Sequence, residues 1–189
     1  MKIIVATGNK GKLKEIKEIF SEYEIISNKE AGLNIDIEED AETFEGNALK
    51  KAKAIAEVSG EICLGDDSGI MIDYFKGWPG VRTARWMKGT DREKNLAIIE
   101  KMKEIPKEQR IVHWVTAIAV VDKDGNEYTG VHTVDGTVAL ELRGENGFGF
   151  DEIFELPNGK TLAELSDEEK NEIGARKKAL EKVKKDLFL

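Results

Sequence analysis

Apolar positions recur along the chain in two rhythms, and their alternation predicts an α/β fold. Ile3, Ile4 and Val5 form a short apolar run that reads as a strand over residues 2–6, and Leu13, Ile16 and Phe20 then share one face of a helix predicted over 12–20. A second short strand is expected over 23–27. Beyond the acidic, irregular segment 35–42, a helix over 43–58 turns Phe44, Ala48, Ala52 and Ile55 inward until Ser59-Gly60 stops it. A strand at 61–64, a turn at "GDDSG" and a strand at 70–73 follow. Thr90-Asp91-Arg92-Glu93 is a capping box, opening a helix that carries Leu96, Ile99 and Met102 into the core. The rhythm then changes, because 110–121 and 126–134 are rich in β-branched residues with Asp124-Gly125 as a hairpin turn between them. A third strand at 137–142 continues the meander, and another follows at 152–155. Ser166-Asp167-Glu168-Glu169 caps a short helix that Gly174 ends, and a last helix buries Leu180, Val183 and Leu187. The expected sheet is mixed and flanked by helices.

The 189 residues fit a single domain spanning 1–189, in two lobes, with enough length to bury a substantial core. No apolar run approaches the length of a membrane span, and Met1 leads directly into a strand, so a soluble cytoplasmic protein without membrane contact is expected. The single cysteine, Cys63, lies in an apolar run and reads as a buried structural thiol. His113 and His132 lack the clustered spacing of zinc ligands. A net charge of −8 argues against nucleic-acid binding, so an anionic ligand needs a local cation cluster or a metal.

Four segments concentrate such chemistry. "TGNKGK" at the end of the first strand is too tightly spaced for a P-loop and has Leu13 where a magnesium-binding hydroxyl would stand, yet a helix N-terminus flanked by lysines suits an anion. "GDDSG" places two carboxylates after a strand, suited to holding Mg²⁺ or taking a proton from water. "NGFGFDEIF" offers the flat faces of Phe148 and Phe150 to a nucleobase. "EEKNEIGARKKA" supplies cations. Lys170 and Arg176 stand about 240° apart on a continuous helix, but a break at Gly174 lets both turn toward one site.

In order and register, "ATGNKGKLKE", "TFEGNALKKA", "DDSG", "GWPGVRTARWMKG", "GFGFD" and "EEKNEIGARKKA" resemble the inosine triphosphate pyrophosphatase, or Ham1-like, family across almost the whole chain. The resemblance implies hydrolysis of deaminated purine nucleoside triphosphates (ITP, dITP, XTP) to monophosphate and pyrophosphate. It implies an elongated mixed α/β fold of two lobes around a central nucleotide cleft, and a homodimer. By position, Thr7, Gly8, Asn9, Lys10, Gly11 and Lys12 become the triphosphate loop, assisted by Lys51. Asp67 becomes the proton acceptor and a Mg²⁺ ligand, and Glu38 the second ligand, with Glu39 one place away. Ser68 becomes a substrate contact. Phe148, Gly149, Phe150 and Asp151 receive the base, with Lys170, Ala175 and Arg176 as further contacts and Arg176 donating to the 6-keto oxygen. The chain departs from the family pattern at Gly174-Ala175, where Ser-His is usual, at Gly46, where Glu is usual, and at Glu152, where Pro is usual. These departures leave open a nucleotide-binding regulator with weak turnover, or a pyrophosphatase for other modified nucleotides.

Overall fold

The structure, a computed structural model, describes residues 1–187. Strand β1 (Lys2–Ala6) leads into helix α1 (Lys10–Ile19), then β2 (Glu24–Ser27), α2 (Phe44–Ser59), β3 (Ile62–Ile72), the short β4 (Trp78–Pro79) and α3 (Asp91–Met102). Next come β5 (Ile111–Val121), β6 (Glu127–Val138), β7 (Phe154–Glu155), α4 (Asp167–Ile173) and α5 (Ala175–Leu187). The strands lie in the order β2-β1-β3-β5-β6-β7, with β4 added to β3. β1 runs parallel to both β2 and β3, whereas β6 and β7 are antiparallel, so the sheet is mixed.

Two compact units divide the chain. One holds Met1–Ser68, Thr116–His132 and the residues from Ala175 onward; the other holds Gly69–Val115 and Thr133–Gly174. In the first unit, strand alternation builds a core on each face of the sheet. Ile3, Val5, Ile62 and Leu64 pack with Ile16 and Phe20 of α1 and with Leu180 and Val183 of α5. Ile4, Ala6 and Cys63 face the other way, onto Ile55 of α2. The Cys63 thiol is fully buried and bonds the Glu61 carbonyl, and burial pushes its pKa up, as befits a structural thiol. No helix among the described residues is long and apolar enough to cross a membrane.

Three departures from the predicted elements have identifiable causes. "GDDSG" is no turn: it lies inside the continuous eleven-residue β3. Its first glycine answers to packing, because a Cβ on Gly65 would sit 1.9 Å from the Ala48 carbonyl oxygen, on the backbone of α2. The third meander strand is absent as a separate element, since β6 runs on to Val138 and pairs there with β7. On α3 the inward face is Asn95, Ile98 and Met102, while Leu96 is 47% exposed. A buried amide, which a hydrophobic count passes over, rotates that helix by one position.

Candidate active site

The loop after β1 closes on itself before α1 begins. Thr7 Oγ1 accepts from the Asn9 N–H at 3.1 Å, and Asn9 Oδ1 accepts from the Lys12 N–H at 3.1 Å, making Asn9 the N-cap. Capping consumes the amide oxygen and leaves Nδ2 as the group that can donate to an anion. No acidic residue stands in the first turn of α1, so nothing there competes for an anion at the positive end of the helix dipole. Gly8, Asn9 and Lys10 are exposed, and Thr7, Gly11 and Lys12 are half-buried.

Because "GDDSG" is a strand, Asp66 and Asp67 point to opposite faces of the sheet. They do not share a site or repel across a turn, as a turn reading implied. Asp66 continues the row of Ile62 and Leu64 and meets α1 and α5. Its carboxylate accepts from Lys12 Nζ at 2.5 Å, from Arg176 Nε at 2.7 Å and from the Ser68 hydroxyl at 2.8 Å. Arg176 also donates Nη1 to Glu15 and Nη2 to Ser68 Oγ, the latter at 3.0 Å. Burial opposes ionisation of Asp66, yet Arg176 and Lys12 beside it hold its carboxyl far below the usual range. Burial lowers the Lys12 pKa, Asp66 resists, and Arg176 and Lys51 add to the lowering.

The guanidinium of Arg176 is 2% exposed and directs three donors to Asp66, Glu15 and Ser68, so in this structure it braces those groups from within. Ser68 belongs to the same network. Ala175 is fully buried at the start of α5, and its methyl offers no polar group to a substrate.

Asp67 continues the row of Cys63 and meets α2. Oδ2 accepts from Asn47 Nδ2 at 3.0 Å, and Oδ1 lies 3.5 Å from Lys51 Nζ. Asn47 and Lys51 are four residues apart and share one helix face, and both are buried. Asn47 Oδ1 also accepts from the Ala41 N–H at 3.0 Å, tying down the end of the acidic segment. Burial raises the Asp67 pKa above the ordinary carboxylate range, against the pull of Lys51 and Lys12. A carboxylate so raised is a better proton acceptor than an exposed one.

In the acidic segment, it is Glu39 that faces the Asp67–Lys51 pair. Residues 35, 37 and 39 are half-buried while 36, 38 and 40 are exposed, and Ile35 and Ile37 pack on the α2 side of the sheet. Period-two alternation therefore turns Glu39 inward, where its Oε1 lies 2.6 Å from Lys51 Nζ. Glu38 faces out.

In the second unit, the glycine-rich loop folds over a cation. Lys170, 4% exposed, donates to Asp151 Oδ2 at 2.6 Å, and its ammonium lies 4.5 Å from the Phe148 ring centroid and 5.6 Å from that of Trp114. Asp151 Oδ2 also accepts from the Phe148 N–H at 2.8 Å. Gly149 and Phe150 are half-buried. The break at Gly174 is present, but Lys170 and Arg176 bond different partners, Asp151 and Asp66.

An alternating strand thus separates a braced carboxylate from a basic one, beside a lysine-flanked helix start that suits an anion. The model of the Ham1 family matches residues 3–186. The chain belongs to the Ham1 family. Among Ham1 relatives, a dITP/XTP pyrophosphatase of Desulforamulus reducens is 40% identical over 188 residues, covering 97% of this chain and 94% of that one. Another dITP/XTP pyrophosphatase, from Campylobacter jejuni subsp. jejuni serotype O:6, is 43% identical over 193 residues, covering 97% and 96%. The Ham1 protein of Staphylococcus aureus superposes with a TM-score of 0.87 at 33% identity, covering 99% of this chain and 98% of that one.

Sequence reasoning missed Glu15 and Asn47, and it did not separate the surroundings of Asp66 from those of Asp67. Reading "ICLGDDSGIMI" as one strand would have separated the two aspartates. Asn47 betrays itself as a polar residue on the buried face of α2.

Proposed function

We propose that this protein hydrolyses deaminated purine nucleoside triphosphates to the monophosphate and pyrophosphate, as the names of its relatives imply for those proteins. The observation that carries the reading is Asp67: a buried carboxylate with a raised pKa, oriented by Asn47 and facing Lys51. The triphosphate is assigned to the start of α1, Lys12 and Lys51, and the purine base to Phe148–Asp151 and Lys170.

Asp67 accepts the proton of a water that attacks the α-phosphorus. Asn47 fixes which carboxylate oxygen is occupied and leaves Oδ1 for the water. Lys51 and Lys12 offset negative charge developing on the phosphate oxygens, in a setting where burial strengthens that interaction. Arg176 and Glu15 act one step back, holding Asp66 so that Asp66 holds Lys12.

The residues present fit a magnesium ion. Glu39 and Asp67 converge on one ammonium, so two hard oxygen donors already face a common cation, and substrate phosphates with water complete the set that Mg²⁺ prefers. Glu39 and Asp67 would hold the ion, which when bound supplies charge neutralisation at the phosphate oxygens.

The test is direct. Purified protein is incubated with and without Mg²⁺ on ITP, dITP, XTP, ATP, GTP and pyrimidine triphosphates, and pyrophosphate and orthophosphate are measured separately. Pyrophosphate from the deaminated purines, in preference to ATP, is expected. Release of orthophosphate, or equal rates on ATP and ITP, refutes the proposal.

A further inference from the structure

Helix α3 buries an asparagine where an apolar residue would serve packing better. Asn95 is fully buried, and a buried amide is costly unless its groups are bonded. Its Nδ2 donates to the Gly149 carbonyl at 3.0 Å and to Glu152 Oε2 at 3.1 Å. One turn earlier, Asp91 Oδ2 accepts from the Gly149 N–H at 2.8 Å. Arg92 Nη1 lies 3.8 Å from Glu152 Oε1. Both hydrogen-bonding groups of Gly149 are therefore held by residues four apart on one face of α3.

The amide orientation is fixed by chemistry. Asn95 Oδ1 is buried without a hydrogen-bond partner among the described residues. Flipping the amide would aim that oxygen at two acceptors, the Gly149 carbonyl and the Glu152 carboxylate, and would leave Nδ2 unpaired instead. The loop's own bonds, from the Phe148 N–H to Asp151 Oδ2 at 2.8 Å and from the Asp151 N–H to the Phe148 carbonyl at 3.3 Å, shape a turn without anchoring it to any helix.

We infer that Asp91 and Asn95 are positioning residues that set the pose of the Phe148–Asp151 loop for substrate. The inference rests on the reading that this loop receives the purine base. Phe148 precedes the anchored Gly149, while Lys170 holds the Asp151 carboxylate from α4, so releasing Gly149 lets the ring shift relative to that carboxylate, and base recognition weakens while phosphate chemistry stays intact.

The experiment uses the full chain and the variants Asp91→Ala, Asp91→Asn and Asn95→Ala. Hydrogen exchange of the segment 147–153 is measured without ligand, together with kcat and KM for ITP and competitive inhibition by pyrophosphate, which lacks a base. Losing a hydrogen bond of ordinary strength predicts a KM for ITP raised roughly tenfold in both alanine variants, with kcat and pyrophosphate inhibition little changed. Exchange of the segment should accelerate in both. Asp91→Asn, whose side-chain oxygen still accepts from Gly149, should behave as the parent does. Unchanged exchange in the alanine variants overturns the inference, as does a loss in kcat alone, or a parallel weakening of pyrophosphate. If the parent releases no pyrophosphate from ITP, the functional reading fails, and the exchange experiment still judges the anchoring.

Discussion

Gly65 joins packing to chemistry at one position, and Gly65→Ala probes that joint. An added Cβ would lie 1.9 Å from the Ala48 carbonyl oxygen and 2.9 Å from Ala52 N, both backbone atoms of α2. Real Cβ atoms essentially never approach closer than 3.0 Å, so strand and helix must separate locally by about 1 Å. Asn47 and Lys51 bracket Ala48 on that helix, and both bond Asp67 two residues along from Gly65. The 3.0 Å bond from Asn47 would stretch beyond hydrogen-bonding range, and Lys51, already at 3.5 Å, would move farther still. Overpacking of this kind costs about 1–3 kcal/mol of stability. Misplacing a reacting group by 1 Å costs on the order of 10²-fold in rate. Urea denaturation and steady-state turnover on ITP measure the two effects separately. A Gly65→Ala protein with parental turnover would refute the argument, whatever its stability, because it would show that the Asn47–Asp67–Lys51 geometry survives the displacement.

Other outcomes follow from the same contacts. Asp67→Asn should lower kcat by about 10² to 10⁴-fold, the usual range of general-base assistance, with folding preserved by circular dichroism. Glu39→Gln should raise the Mg²⁺ concentration needed for half-maximal turnover while Glu38→Gln leaves it alone; the reverse ranking would restore Glu38 as the inner carboxylate. Asp66→Asn leaves the buried Arg176 and Lys12 poorly compensated and should cost about 3–5 kcal/mol in urea denaturation, and a loss below about 1 kcal/mol would show that Glu15 suffices. His113 lies between Asp135, at 2.7 Å, and Asp73, at 3.0 Å, and these carboxylates raise its pKa above the ordinary 6.5. The folded state thus binds the proton more tightly than the unfolded one. Its contribution is complete below about pH 6.5 and fades as pH rises through the raised value. Melting temperatures across that window should fall less steeply in His113→Gln than in the parent.

Much of the fold was legible because its signals are local. Thr90 and Ser166 cap the helices they precede, Gly174 breaks α4 from α5, and Gly125 turns the hairpin between β5 and β6, all within a few residues of the elements they punctuate. What was misread depended on contacts distant in sequence. Gly65 looks like a turn glycine until α2 is laid against it, and a strand holding two adjacent aspartates violates every expectation except that each finds its own cation. That Arg176 turns inward was legible from the break at Gly174, but its partner Asp66, 110 positions earlier, was not. The inward turn of Glu39 was legible in principle, since Ile35 and Ile37 already set the alternation that carries it.

The opposed aspartates of β3 also bear on what changes the segment can absorb. At Ile62, Cys63 and Leu64 a substitution alters one side chain, but a deletion or insertion of a single residue there exchanges the faces of everything beyond it. Asp67, the proposed proton acceptor, would then be delivered to Arg176, where two cations favour its ionised form, and Asp66 to Asn47 and Lys51. Over those three positions length matters more than identity, and libraries that vary residues 62–64 should yield active variants where single-residue indels yield none.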